Sequence, residues 1–101
     1  MALINLTVET FDETIKNGKT LVDFFASWCG PCKKLAPVIA KIAEETGEHA
    51  TVAKVDVDEQ RTLAMRYNIS RIPTVVIFEN GTEIKRFEGE ESKETYLEAL
   101  K

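Results

Sequence analysis

The sequence predicts an α/β domain of three layers, in which helices flank both faces of a partly parallel, five-stranded sheet. Three observations carry that reading. Strand and helix signatures alternate along the chain in the order βαβαβαββα. The run Thr20 to Ala26 is apolar on both faces, which suits a strand covered from both sides. Asn80-Gly81 is the strongest short-range signal for a tight hairpin, and a hairpin there adds an antiparallel edge.

Each element has a local cause. Leu3 to Val8 is rich in apolar and β-branched residues and reads as the first strand; Thr10 with Glu13 has the capping-box spacing that opens a helix ending near Gly18. Thr20 to Ala26 follows as the second strand, interrupted by one charged residue, Asp23. From about Cys29 to Thr46 the apolar positions Leu35, Val38, Ile39, Ile42 and Ala43 recur at helical spacing, and Gly47 supplies the stop. Pro31 fits the first turn of this helix, whereas Pro37 lies inside it, removes the backbone bond to Lys33 and is expected to bend the axis. Thr51 to Asp56 alternates as a third strand, and Asp58 is positioned to cap a helix running to about Tyr67. Pro73 to Glu79 and Thr82 to Glu88 flank the Asn80-Gly81 turn as the fourth and fifth strands. Ile84 and Phe87 are three apart and cannot share a face of a regular strand, so a β-bulge is expected to reconcile them. Ser92 then caps a closing helix with Tyr96, Leu97 and Leu100 on one stripe.

At 101 residues the chain is read as one domain, residues 1–101, and folding hides roughly two-thirds of the surface exposed by an unfolded chain of this size. A composition of 44% hydrophobic and 30% charged residues is that of an ordinary globular domain and excludes disordered, collagen-like and membrane classes. With 17 acidic against 13 basic residues the formal net charge is -4, which argues against nucleic acid as a partner, because phosphates call for a concentrated basic surface. The longest apolar stretches, such as Leu35 to Ala40, fall far short of the ~18 residues of a membrane span, so no membrane partner is expected. The start, Met1-Ala2-Leu3-Ile4-Asn5-Leu6, lacks the marks of a secretory signal, and a cytoplasmic location is expected. With no apolar stripe to spare, a monomer is expected. Two cysteines rule out a disulfide scaffold, and in a reducing compartment a close pair points to catalysis.

That pair lies in Trp28-Cys29-Gly30-Pro31-Cys32, where a buried strand hands over to the longest helix. Cysteines three apart on a helix share a face at a separation compatible with disulfide closure. Cys29 stands at the helix start, where unpaired backbone N–H groups and the positive end of the dipole stabilise a thiolate. Cys29 is therefore the better nucleophile, and Cys32, one turn deeper, is placed to resolve a mixed disulfide. A zinc site needs about four ligands, and two cysteines with one histidine fall short. Two inert core thiols fit poorly with Gly30-Pro31, which build a tight exposed turn.

Asp23 sits between Leu21-Val22 and Phe24-Phe25, where burial raises a carboxyl's pKa. It is a candidate proton acceptor for Cys32. The competing role is structural, with Lys54 on the neighbouring strand as its cation. Ile72-Pro73 opens the fourth strand, and by the statistics of X-Pro bonds alone it is trans. Trp28 is either a core aromatic or a flat contact surface beside the thiol. His49 and the Lys33-Lys34 and Glu88 to Glu91 clusters read as solvated surface.

Asp23, the Trp28 to Cys32 pentapeptide, Lys54, Ile72-Pro73-Thr74, Asn80-Gly81 and Gly89 together resemble the thioredoxin family over nearly the whole chain. The resemblance implies the thioredoxin fold, a central five-stranded sheet with four helices, and a cis Ile72-Pro73 bond whose loop faces the cysteines. It implies a protein-disulfide reductase in which Cys29 attacks and Cys32 releases the reduced substrate. Trp28, Gly30, Pro31, Ile72, Pro73 and Gly89 would line a shallow apolar groove for the substrate's disulfide segment, with Ile72 pairing with its backbone. A thioredoxin reductase drawing on NADPH or ferredoxin would restore the dithiol, and the protein itself would carry no cofactor.

The chain departs from the family pattern in places. Phe25 stands where an aromatic, often Trp, is seen. Arg71 precedes the Ile-Pro pair and Glu90-Glu91 follow the groove glycine, where small residues are usual, so charge lies beside the groove and bears on partner preference. Two rival functions share the fold: a thiol oxidase or isomerase, and a binding module that uses the groove without electron transfer. Gly30-Pro31, which the resemblance associates with reducing members, weighs against the first.

Overall fold

Strand β2 (Lys19–Phe25) can occupy the centre of the sheet because its residues alternate between two apolar environments, and everything else is arranged around it. The computed structural model describes residues 3–101. In chain order the elements are β1 (Ile4–Asn5), α1 (Val8–Ile15), β2, α2 (Gly30–Thr46), β3 (Thr51–Asp56), α3 (Arg61–Arg66), β4 (Thr74–Glu79), β5 (Thr82–Glu88) and α4 (Lys93–Ala99). The sheet order is β1-β3-β2-β4-β5. β1, β3 and β2 run parallel, and β4 and β5 complete the sheet as an antiparallel hairpin.

Two cores result, one on each face. Leu21, Val52, Val75 and Ile77 point to the side covered by α2 and α4, where they meet Leu35, Ile39, Ile42, Tyr96 and Leu100. Val22, Phe24, Val55, Val76 and Phe78 point to the other side, against Phe11 and Ile15 of α1 and Leu63 of α3. A third, small cluster of Ala26, Cys29 and Cys32 sits where β2 hands over to α2, with Phe25, Val57 and Ile72 packed against it.

The structure corrects three local expectations. The first strand is only Ile4–Asn5, because the helix begins at Val8 with Thr7 as its extended N-cap; Thr10 lies a turn inside, and its Oγ1 accepts from the Thr7 N–H at 3.0 Å. Leu6 and Phe11 then occupy the two positions of a hydrophobic staple, both buried in one cluster, and this packing selects the earlier start. Asp58 does not cap α3. The Asp56 carboxylate turns the chain by accepting from the N–H groups of Asp58 (2.9 Å) and Glu59 (3.3 Å), and α3 starts only after Gln60. Lys54 forms no ion pair with Asp23: they are register partners across β2 and β3, yet no salt bridge joins them among the described residues, and the Lys54 ammonium lies 4.3 Å from the centre of the Phe25 ring.

Other expectations agree with the structure. Ser92 Oγ accepts from the Thr95 N–H at 3.2 Å, and Asn80 and Gly81 turn the hairpin at φ of 51° and 87°. The bulge in β5 is present, since Ile77 faces Lys85 while Phe78 faces Glu83, which leaves Ile84 as the extra residue. It does not bring Ile84 into the core: Phe87 packs against Tyr96 with ring centres 5.3 Å apart, whereas Ile84 stays 46% exposed.

Replacing Ile84 with Thr should therefore change the unfolding free energy by less than about 0.5 kcal/mol. Replacing Ile77, fully buried on the neighbouring strand, with Ala should cost about 2–5 kcal/mol, and urea unfolding of the two variants measures both.

Candidate active site

The end of β2 delivers the chain into the first turn of α2, and Cys29 is the N-cap. Its N–H donates to Ala26 O at 3.2 Å, and its carbonyl accepts from the Lys33 N–H at 3.1 Å. Its sulfur accepts from the Cys32 N–H at 3.2 Å, so an otherwise orphaned helix donor is aimed at Sγ. Negative charge on that sulfur meets this donor and the positive end of a 17-residue helix. Cys29 and Cys32 are joined as a disulfide, with Cα atoms 5.2 Å apart, within the ordinary range for such a bond. Both residues are almost fully buried, so exposure does not distinguish them. What distinguishes Cys29 is its place at the helix start and its neighbour across the cleft, Ile72 O, 4.0 Å from its Sγ.

Trp28, Gly30 and Pro31 are exposed around the disulfide, with Trp28 the most open at 68%. Trp28 is thus a surface platform. Its indole N–H donates to the Asp58 carboxylate at 2.7 Å, a charge-assisted bond that holds the ring. Asp58 is the residue that sequence reasoning missed here. Its only signal was local and pointed to helix capping, while its partner lies 30 positions away.

On the opposite side, the Ile72-Pro73 bond is cis. Ile72 is half-buried and packs against the cysteine cluster, whereas Pro73 is buried. Gly89, half-buried at φ 93°, donates its N–H to Pro73 O at 2.8 Å, a conformation that favours a residue without a Cβ. The chain after Gly89 is tied down in turn, because the Glu91 N–H donates to the buried Tyr96 hydroxyl at 3.0 Å. A surface hollow of about 620 Å³ lies elsewhere, between β5 and α4, and contains none of these residues. The site is a shallow surface.

Beneath it, Asp23 is completely buried at the centre of the sheet, between Lys54 of β3 and Val75 of β4. Among the described residues, neither carboxylate oxygen has a hydrogen-bond partner. Burial pushes its pKa up to about 7 from 3.8, and the positive charge of Lys54 opposes this only in part. The carboxyl therefore changes charge near neutral pH, the range in which a proton acceptor is useful.

Comparison with known proteins places the chain among relatives. The family model for thioredoxin matches residues 2–101. The chain is 40% identical over 100 residues to a thioredoxin of Staphylococcus haemolyticus, covering 99% of this chain and 96% of that protein. It is 39% identical to a thioredoxin of Staphylococcus aureus with the same coverage. Among solved structures, a mutant thioredoxin from Halobacterium salinarum NRC-1 superposes with a TM-score of 0.88 at 33% identity, covering 99% of this chain and 92% of that one.

Two measurements test the geometry. The unfolded chain ionises Asp23 near 3.8 and the folded chain near 7. The contribution of Asp23 to stability is thus greatest below 3.8, falls as pH rises between the two values, and above about 7 has lost about 4 kcal/mol. Asp23→Asn, which cannot ionise, should remove that slope in urea unfolding run from about pH 4 to about pH 9. For Asp58, substitution by Ala should speed hydrogen exchange at the single indole N–H roughly tenfold or more, read from its proton resonance.

Proposed function

The chain belongs to the thioredoxin family of dithiol/disulfide oxidoreductases, and from that premise we propose the following assignment of its residues. Acting as one domain, the reduced protein attacks a substrate disulfide with the Cys29 thiolate. One substrate sulfur leaves as a thiol and the other stays joined to Cys29. Cys32, within bonding range, then attacks Cys29 Sγ, which releases the second substrate thiol and closes the Cys29–Cys32 disulfide. Two electrons pass to the substrate.

The observation that carries this reading is the hydrogen bond from the Cys32 N–H to Cys29 Sγ at the start of α2. It favours a thiolate at Cys29 before attack on the substrate disulfide. Asp23 takes the proton from Cys32 in the second step, supported by its burial, its unpartnered oxygens and its pKa near 7. Lys54 tunes that carboxyl through charge at a distance rather than by an ion pair. Trp28, Gly30, Pro31, Ile72 and Gly89 receive the substrate segment, with Pro73 supporting the loop from beneath. A thioredoxin reductase regenerates the dithiol, and the protein works in the cytoplasm as a monomer without a bound cofactor.

Single-turnover reduction of a protein disulfide tests the assignment. Cys29→Ser should abolish it, and Cys32→Ser should accumulate a mixed disulfide at Cys29 that mass spectrometry locates. Asp23→Asn should slow the second step by roughly 100-fold and flatten its rise with pH around neutrality. An Asp23→Asn profile matching the parent protein would leave the carboxyl a purely structural role.

A further inference from the structure

Of the four arginines in the chain, two are engaged: Arg66 pairs with Asp12 and Arg86 with Glu83, each at 2.9 Å. Arg71 is exposed, and among the described residues no salt bridge engages it. Its backbone is nevertheless fixed, because its carbonyl accepts from Thr74 Oγ1 at 2.6 Å. The next residue is Ile72, whose carbonyl oxygen is the one that lies 4.0 Å from Cys29 Sγ. Arg71 thus adjoins the residue whose carbonyl faces the Cys29 sulfur, and among the described residues no ion pair occupies its guanidinium.

Guanidinium donors form a rigid fork that matches a carboxylate, and an anchored backbone lowers the cost of presenting them. We propose that Arg71 is a specificity-determining residue that receives a carboxylate flanking the attacked cysteine, so that the site selects protein disulfides with an acidic neighbour. This rests on the disulfide-exchange reading above. The neighbouring strand end carries the opposite sign: Gly89 is bonded to Pro73, and Glu90 and Glu91 follow it, exposed. A substrate carboxylate is thus drawn to Arg71 and repelled by Glu90 and Glu91, so the preference depends on where along the bound segment the carboxylate lies. The redox balance is unchanged, since two protein thiols become a disulfide and the substrate disulfide becomes two thiols.

The test uses pre-reduced protein and four peptide disulfides that differ only in bearing Asp or Lys on the N-terminal or the C-terminal side of the cysteine. A neutral peptide serves as reference, and oxidation is followed through the single tryptophan, Trp28. On one side of the cysteine the Asp peptide should react roughly fivefold faster than the Lys peptide. Arg71→Glu should reverse that ratio, Arg71→Gln should abolish it, and about 0.5 M salt should compress it. Lys41→Glu makes the same change in net charge about 18 Å along α2 from Cys29 and should leave the ratio intact. A ratio unmoved by Arg71→Glu, or moved equally by Lys41→Glu, overturns the proposal while leaving the reductase reading in place. Failure of all five peptides to oxidise the protein overturns both.

Discussion

The site depends on one constraint: a strand buried on both faces ends where a helix must begin. β2 is paired on both edges, by β3 and β4, and its side chains fill both cores, so its end cannot shift without disturbing both. α2 is fixed by the packing of Leu35, Ile39 and Ile42 on that sheet. The short link between them therefore presents Cys29 as N-cap in one position, with the Cys32 N–H directed at its sulfur. A helix start offers unpaired donors wherever it occurs, and here the fold directs one of them at the Cys29 sulfur.

The same architecture carries a cost in stability. Asp23 occupies a position on β2 where an apolar residue would pack against α2 and α4, and both of its oxygens lack partners. A closer Lys54 would satisfy the charge and hold the carboxyl ionised, but the ammonium is drawn to the face of Phe25 instead. The carboxyl is left able to take up and release a proton near neutrality. Poor satisfaction at a buried acid lowers stability while leaving the carboxyl free to exchange a proton near neutrality.

Around the cysteines the chemistry is generic and the rim is particular. Trp28 would be a mobile exposed aromatic without Asp58, and the turn that carries Asp58 is shaped by Asp56, not by the helix that follows. On the far side, backbone bonds hold the cis-proline loop to Gly89, and Tyr96 holds the segment after it. Rigid backbone with free charged side chains is an arrangement suited to sorting partners by charge while the bond exchange at the sulfurs stays the same.

The residue order alone determined the layered α/β architecture, the Asn80-Gly81 hairpin, the bulge in β5 and the placement of a cysteine pair at a helix start. Those features are written in periodicities and spacings only a few residues long. Family resemblance supplied the cis Ile72-Pro73 bond, against the local statistics. Tertiary structure decided what depends on partners distant in sequence: the start of α1 at Thr7, chosen by the packing of Leu6 on Phe11; the attachment of Asp58 to Trp28; the separation of Lys54 from Asp23; and the exposure of Ile84. A threonine or an aspartate has the same capping chemistry at several neighbouring positions, and only the packing of the whole chain selects which one is used.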